Sequence, residues 1–143
     1  MIRAKTTRKS NPTGLAEVVF LAIRRRGEKL VPKLGSVRIQ RCGLADREHA
    51  AQHRQYAHYN HFSRTVCYAA ALDYLDPENV VGIIAHELGH AAADILGLFG
   101  KHREGDANKL GGAMLGAVVR FSGPERLERA SVPRWLEREV SWR

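Results

Sequence analysis

A continuous apolar segment near the middle of the chain constrains the fold more than any other feature. Between Pro77 and about Leu96, aliphatic residues and alanines occupy nearly every side of a helical wheel, which predicts a helix buried on all sides. Asp76 and Glu78 flank Pro77, and this is a helix-start signature because it combines an N-cap acceptor, a fixed φ and an acid at the positive helix end. We therefore expect a central helix around which the rest of the chain packs.

The same segment contains polar residues in a metal-binding pattern. The pattern reads His86-Glu87-Leu88-Gly89-His90. Two imidazoles four residues apart project from one face of a helix and can share a zinc ion, while the glutamate between them can hold a metal-bound water. Burying these three side chains in an apolar helix is costly unless they are hydrogen-bonded or coordinate a metal. The segment therefore predicts a zinc-binding helix rather than two buried histidines that are hydrogen-bonded without a metal.

A third zinc ligand is expected downstream, because a hydrolytic zinc site takes three protein ligands and keeps a fourth position for water. The candidates are Glu104, Asp106 and His102. On a helical wheel, Glu104 lies at the edge of the inward face of the next helix, whereas Asp106 and His102 lie outside it. Asp106 is closer to the axial level of His90. We expect Glu104 to be the ligand, with Asp106 and then His102 as alternatives.

A second histidine pair, His49 and His53, also has a spacing of four residues. No acid follows the first histidine, and the neighbouring residues are polar. This pattern favours the solvated face of an exposed helix over a second metal site.

The stretch from about residue 65 to residue 111 resembles the core of gluzincin-type zinc metallopeptidases, especially the small ImmA/IrrE-like and minigluzincin kinds. Those proteins place a strand before an HExxH helix and a Glu-x-x-Ala-Asp/Asn signature on the following helix. Here the signature reads Glu104-Gly105-Asp106-Ala107-Asn108. The resemblance implies that Glu104 is the third zinc ligand. It also implies that Asn108 steadies a ligand histidine, as metal-bound imidazoles generally require.

The expected site implies a zinc-dependent metalloendopeptidase of the HExxH class. It would hydrolyse peptide bonds of a peptide or protein substrate with a zinc-activated water and Glu87 as general base. In the enzymes it resembles, the strand before the helix binds an extended substrate, which suggests residues 65–71 here. A hydrogen-bond donor would stabilise the developing oxyanion. Tyr56, Tyr68 and His58 are chemically suitable, and the sequence does not favour one of them over the others.

The length of 143 residues predicts one domain with a modest core. Residues 1–12 are charged and aperiodic and predict a flexible basic arm, followed by a single metallopeptidase-like domain over 13–143. We expect helices over 13–26, 77–96, 102–120 and after Pro124, and strands over 36–40 and 65–71, while 56–59 is compatible with a further strand. The expected fold is α+β and zincin-like, with a small, mostly antiparallel sheet packed on the central helix and further helices.

The net charge of +8, from 23 Lys and Arg against 15 Asp and Glu, favours acidic partners and leaves a weak nucleic-acid contact open. Aromatic residues make up 7% of the chain and do not alternate with the basic ones, which argues against a base-stacking platform. Two alternative functions follow. One is a zinc-bearing regulatory or nucleic-acid- or protein-binding module with little turnover. The other is an SprT-like protease that acts on DNA-associated proteins, with His102 as third ligand.

The N-terminal half contains no pattern typical of a membrane span or of a signal peptide, and this bears on the cellular compartment. The longest early apolar run, 18–23, is too short for a membrane span and is followed by three arginines and no cleavage site of small residues. This pattern predicts a cytoplasmic protein with no membrane partner. In a reducing compartment, Cys42 and Cys67 are expected to be two buried, unpaired thiols.

Overall fold

The computed structural model describes residues 14–42, 56–98, 100, 103–122 and 126–140, and within them the fold is α+β, as predicted. The described α-helices are α1 (Gly14–Gly27), α2 (Pro77–Leu96), α3 (Arg103–Leu115) and α4 (Arg134–Glu139). The described strands are β1 (Arg38–Arg41), β2 (Ala57–Asn60), β3 (Thr65–Tyr68), β4 (Arg120–Ser122) and β5 (Leu127–Arg129). Short 3-10 helices cover Pro32–Ser36 and Ala70–Tyr74. The predicted arm over 1–12 and the pair His49 and His53 lie outside the described residues.

The three-stranded sheet has the order β1-β3-β2, with β3 in the middle. β1 pairs with β3 in parallel, and β2 pairs with β3 antiparallel. β4 and β5 form a separate antiparallel hairpin. The larger sheet is therefore mixed rather than mostly antiparallel. The parallel pair is possible because β2 intervenes in sequence between β1 and β3, which provides the long connection that parallel strands need.

Helix α2 has the bounds that the sequence predicts and forms the centre of the molecule. Every residue from Asn79 to Gly89 is buried, and α2 contacts α1, α3, β2 and β5. Gly97 ends the helix in the left-handed region, at φ 76°, which glycine adopts without a steric penalty. In the part of the chain that the structure describes, no helix, α2 included, is long and apolar enough to cross a membrane.

Two glycines allow α2 and α3 to pack backbone against backbone. A Cβ atom at Gly89 on α2 would overlap the carbonyl oxygen of Ala107 on α3. A Cβ atom at Gly111 on α3 would likewise overlap the carbonyl oxygen of Ala85 on α2. The two helices therefore lie closer than any side chain at these positions would permit, which brings the first turn of α3 over the middle of α2.

The C-terminal part of the chain differs from the prediction. Helix α3 ends at Leu115 rather than near Arg120, and β4 and β5 form a hairpin where the end of one helix and the start of another were expected. The last helix is limited to Arg134–Glu139. Each strand of the hairpin has three residues, which is too short for a period of two to be distinguished from a helical pattern.

The hairpin is fixed to the first half of α2. The side-chain amide of Asn79 donates a hydrogen bond to the backbone carbonyl oxygen of Glu128 (3.1 Å). The backbone N–H of Ala130 donates a hydrogen bond to the backbone carbonyl oxygen of Glu78 (3.1 Å). A Cβ atom at Gly82 would lie 2.6 Å from backbone atoms of Arg129, so the strand β5 also lies directly against the α2 backbone. These contacts place the hairpin next to the histidine-bearing turn of α2.

The two cysteines are free thiols, as predicted, but both are half-buried rather than buried. Cys42 follows β1 and lies beside Cys67 of the neighbouring strand β3. Burial and the hydrogen bond between the two thiols raise the pKa of Cys67 to about 12. The thiolate form of Cys67 is therefore strongly disfavoured at neutral pH.

Candidate metal centre

Side chains from α2 and α3 converge on one point. The Nε2 atom of His86 lies 2.9 Å from Oε1 of Glu104, and the Nε2 atom of His90 lies 3.4 Å from the same oxygen. The two imidazole rings are 4.6 Å apart between centroids and nearly perpendicular, at 86°. Among the described residues, this is the one group of three or more His, Cys, Asp or Glu whose ligand atoms all lie within 4.8 Å of one another.

The spacing of these atoms fits a small divalent ion. With metal bonds near 2.0 Å to nitrogen and oxygen, tetrahedral geometry separates neighbouring ligand atoms by about 3.3 Å. The two distances between Glu104 and the imidazoles, 2.9 and 3.4 Å, lie on either side of that value. All the ligand atoms lie within 4.8 Å of one another, so the His-His-Glu group can hold a metal ion.

Asn108 determines which nitrogen of His86 faces the group. The Nδ1–H group of His86 donates a hydrogen bond to Oδ1 of Asn108, at a distance of 2.7 Å. In a neutral ring, the other nitrogen, Nε2, then carries a lone pair directed at the Glu104 carboxylate. Two acceptors facing each other repel unless a proton or a cation lies between them. This donor set therefore matches metal binding, with Asn108 orienting a ligand ring.

The structure separates the three candidates for the third ligand. Glu104 belongs to the group, and its side chain is 75% exposed, so its carboxylate lies on the solvent side of the two imidazoles. Asp106 is half-buried and is not part of the group. His102 lies outside the described residues. Glu104 and Asn108 are four residues apart on α3, which places both on the face that lies against α2.

Burial and nearby charges disfavour the charged forms of two site residues. Desolvation, followed by the proximity of His86, lowers the pKa of His90, which keeps this imidazole neutral and able to act as a ligand. Glu87 is 4% exposed. Burial, and then the carboxylates of Glu128 and Glu104, raise the pKa of Glu87 well above its ordinary value. The backbone N–H of Tyr59 opposes this shift by donating a hydrogen bond to the Glu87 carboxylate.

Glu128 is a site residue that the sequence does not indicate. It lies on β5, and after burial its carboxylate is the largest cause of the raised pKa of Glu87. Its sequence neighbours alternate arginine and glutamate, a pattern that predicts the solvated face of a helix. Only the folding of the hairpin onto α2 brings Glu128 to the site, and no local signal marks it.

Two cavities open on either side of the metal group and share Glu87 as a wall. The smaller, of about 280 Å³, has His58, His61, Asp94 and Arg103 among its lining residues. The larger, of about 450 Å³, lies on the hairpin side and also includes His86 and Glu104 in its wall. The group is therefore accessible from a groove rather than enclosed.

The structure also sorts the candidate oxyanion donors. The hydroxyl of Tyr68 donates a hydrogen bond to Glu17 on α1 (2.8 Å), so Tyr68 is directed away from the site. Tyr56 lines the larger cavity and His58 lines the smaller one, so both remain candidates. Tyr59 also lines the smaller cavity, but its hydroxyl donates a hydrogen bond to Asp94 (2.8 Å).

Both backbone edges of β3, the strand that the resemblance suggests for substrate binding, are occupied. β3 is the central strand and is hydrogen-bonded to β1 on one side and to β2 on the other, so its backbone is not available to an extended peptide. β2 pairs on one side with β3 and lies at the edge of the sheet next to α2. Its residues His58 and Tyr59 line the smaller cavity.

Comparison of this chain with protein-family models, with curated proteins and with solved structures finds no match. The gluzincin resemblance and the zincin-like fold therefore remain predictions. What the structure establishes is an α+β fold whose central helix and neighbouring helix present a His-His-Glu group that can hold a metal ion.

Proposed function

We propose that this chain is a zinc-dependent metallopeptidase, with His86, His90 and Glu104 as the zinc ligands. The observation that carries the proposal is the convergence of both Nε2 atoms on one carboxylate oxygen, at 2.9 and 3.4 Å, beside the buried carboxyl of Glu87. A structural zinc site is closed by four protein ligands, whereas a catalytic site has three and keeps one position open. The described residues supply three, and cavities flank them.

The protein residues have distinct tasks in the proposed reaction. When bound, zinc supplies a polarising Lewis acid and lowers the pKa of a water molecule. Asn108 holds the His86 ring in the tautomer that presents Nε2 to the metal. Glu87 would accept a proton from the water that attacks the peptide carbonyl, and would pass it to the amine that leaves when the C–N bond breaks. Burial raises the pKa of Glu87, and this favours retention of the proton until the amine leaves.

The substrate is proposed to be an extended peptide or an unfolded stretch of a protein. β2 is the edge strand beside the metal group, and the backbone N–H of Tyr59 is already directed at Glu87. A peptide that pairs with the outer edge of β2 would be held in extended form across the two cavities. This assigns to β2 the role that the sequence assigned to residues 65–71.

The test of the proposal is cleavage of an unfolded protein. We expect the zinc-loaded chain to cut β-casein near neutral pH, phenanthroline to stop the cleavage, and added zinc to restore it. New peptide N-termini are identified by mass spectrometry. If the chain binds stoichiometric zinc but releases no peptides, the proposal is wrong and a zinc-bearing binding module becomes the better interpretation.

Two acids at the start of α3 provide a matched test of the third ligand. We expect Glu104→Ala to lower zinc affinity about 100-fold or more, because it removes one of three ligands. Asp106→Ala should change the affinity by less than about 3-fold, since it removes only a charge near the same helix terminus. Competition with a chromophoric zinc chelator measures both. A larger loss in Asp106→Ala would transfer the ligand role to Asp106.

A further inference from the structure

One end of the three-stranded sheet presents an exposed aromatic ring beside positive charges. Phe62 and Arg64 lie in the turn between β2 and β3, and Phe62 is 89% exposed. Arg38 begins β1, and Lys33 lies in the 3-10 helix that precedes it. We propose that these four residues, the turn surface, bind a single-stranded nucleic acid, with the three cations on phosphates and Phe62 stacked on a base. This function is separate from the proposed cleavage of peptides.

Hydrogen bonds bring the three cationic residues together. The backbone N–H of Arg38 donates to the backbone carbonyl oxygen of Arg64 (2.9 Å). The guanidinium of Arg64 donates to the hydroxyl oxygen of Ser36 (3.2 Å), and this hydroxyl donates to the backbone carbonyl oxygen of Lys33 (2.8 Å). Lys33 and Arg38 are exposed, and Arg64 is half-buried. The three residues therefore form one continuous group at the surface.

The positive charge of this group is not neutralised within the part of the chain that the structure describes. No described carboxylate forms an ion pair with any of the three cations. The carboxyl of Glu28 lies beside Gly35, but it pairs with Arg24 at 3.8 Å. A nucleic-acid strand carries one phosphate per nucleotide, and each cation that binds a phosphate releases a counterion, which favours association. The net charge of +8 on the whole chain attracts the same ligand over longer distances.

Arginine occupies a position of this turn whose backbone conformation glycine adopts more easily. Arg64 has φ 50°, in the left-handed region. Oδ1 of Asn60 accepts hydrogen bonds from the backbone N–H groups of Phe62 (2.9 Å) and Ser63 (3.3 Å), and these bonds hold the turn in shape. The turn therefore presents both an aromatic ring and a cation on a preformed loop, which reduces the ordering needed when a ligand binds.

The Phe62 ring favours a nucleic acid over an acidic protein as the partner. Among the described residues, its ring contact is with His61, with centroids 4.0 Å apart and an angle of 37° between the two planes. The rest of the ring is open to solvent, and every nucleobase has a flat aromatic face that can stack on it. An acidic protein supplies the negative charges without such faces. A single ring supports one stacked base, which is compatible with the low aromatic content of the chain.

The test is the fluorescence anisotropy of a labelled oligothymidylate of about 15 nucleotides, titrated with the full chain between about 50 and 200 mM salt. We expect Phe62→Ala to weaken binding about 10-fold at every salt concentration, because it removes stacking but no charge. Arg64→Gly and Arg38→Gln should each reduce the slope of log affinity against log salt by about 0.7, because each removes one phosphate contact.

Two matched controls come from other parts of the chain. Tyr74→Ala removes an aromatic residue that is 71% exposed and lies beyond the opposite end of β3. Arg126→Gly removes an arginine with the same left-handed backbone, at φ 57°, from the hairpin of β4 and β5. Each control should weaken binding by less than about 2-fold. Circular dichroism checks that every variant keeps the fold.

The proposal is overturned if the unmodified chain does not bind the oligonucleotide, or if Phe62→Ala and Arg64→Gly bind it as tightly as the unmodified chain does. It is also overturned if the two controls lose as much affinity as the variants of the turn surface. Polyglutamate is a competitor with charge but no rings. If it displaces the labelled strand as well as unlabelled oligothymidylate does, the partner is an acidic protein instead. The readout needs neither metal nor turnover, so this proposal and the peptidase can each fail without the other.

Discussion

Gly89→Ala is expected to lower the free energy of unfolding by about 3 kcal/mol or more, because the added methyl group has no space. The Cβ atom would overlap the carbonyl oxygen of Ala107, which is backbone and cannot rotate away as a flexible side chain can. The matched control is Gly105→Ala on α3, where a Cβ atom meets nothing within 4 Å. Gly105→Ala should be neutral or stabilise by up to about 1 kcal/mol, since alanine favours helix.

A second readout links this packing to the metal group. His86 and His90 lie on α2, while Glu104 lies on α3, so any separation of the helices moves the carboxylate away from the imidazoles. We expect Gly89→Ala, if it folds, to bind zinc more weakly than Gly105→Ala. Urea denaturation and chelator competition measure the two effects. Equal stability of the two variants would show that α2 and α3 are not in backbone contact.

The central helix could be predicted from the sequence because its signals are local. The residues at its N-terminus, Asp76 and Pro77, and the glycine at its end, Gly97, are adjacent to the boundaries that they determine. Its apolar composition on all sides also corresponds to burial on all sides. Nothing distant in the chain was needed to place it.

The close approach of α2 and α3 could not be predicted in the same way. Gly89 occupies a variable position of the HExxH pattern, and its effect appears only when Ala107 is seen against it. The helical phase of α3 did carry information, because Ala107 and Gly111 define the face that α2 contacts. That face has Glu104 at its edge, which agrees with the observed group, although its role as a ligand stays a prediction.

The hairpin was missed because tertiary contacts, not local preferences, hold it. Its β5 strand lies in a segment whose alternating charges favour an exposed helix, yet hydrogen bonds with Glu78 and Asn79 of α2 hold it as a strand. Phe121 and Glu128, which line the larger cavity, both lie on this hairpin. The two histidines of the metal group could thus be predicted from their spacing, while the part of the larger cavity that the hairpin forms could not.

Glu87→Gln is expected to abolish peptide hydrolysis and at the same time to stabilise the metal-free protein. The amide cannot accept the proton, so the rate of cleavage should fall about 1,000-fold or more. Glu87 is 4% exposed and lies near the carboxylates of Glu128 and Glu104, so its charged form is unfavourable in the fold. Glutamine has nearly the same shape and can still accept the hydrogen bond from Tyr59. We expect Tm to rise by about 3 °C or more.

Glu78→Gln is the matched control for this substitution, because Glu78 is an exposed acid of the same helix that pairs with Arg129 at 2.7 Å. It should leave the rate unchanged and lower the free energy of unfolding by less than about 1 kcal/mol. Calorimetry and casein cleavage measure both variants, and zinc content must stay equal in each. A Glu87→Gln variant that keeps its activity would remove Glu87 as the base. If the buried Glu87 carboxylate lowers the stability of the fold and is kept for catalysis, its neutralisation must raise the stability. A Glu87→Gln variant that loses both activity and stability would show instead that the carboxyl supports the fold.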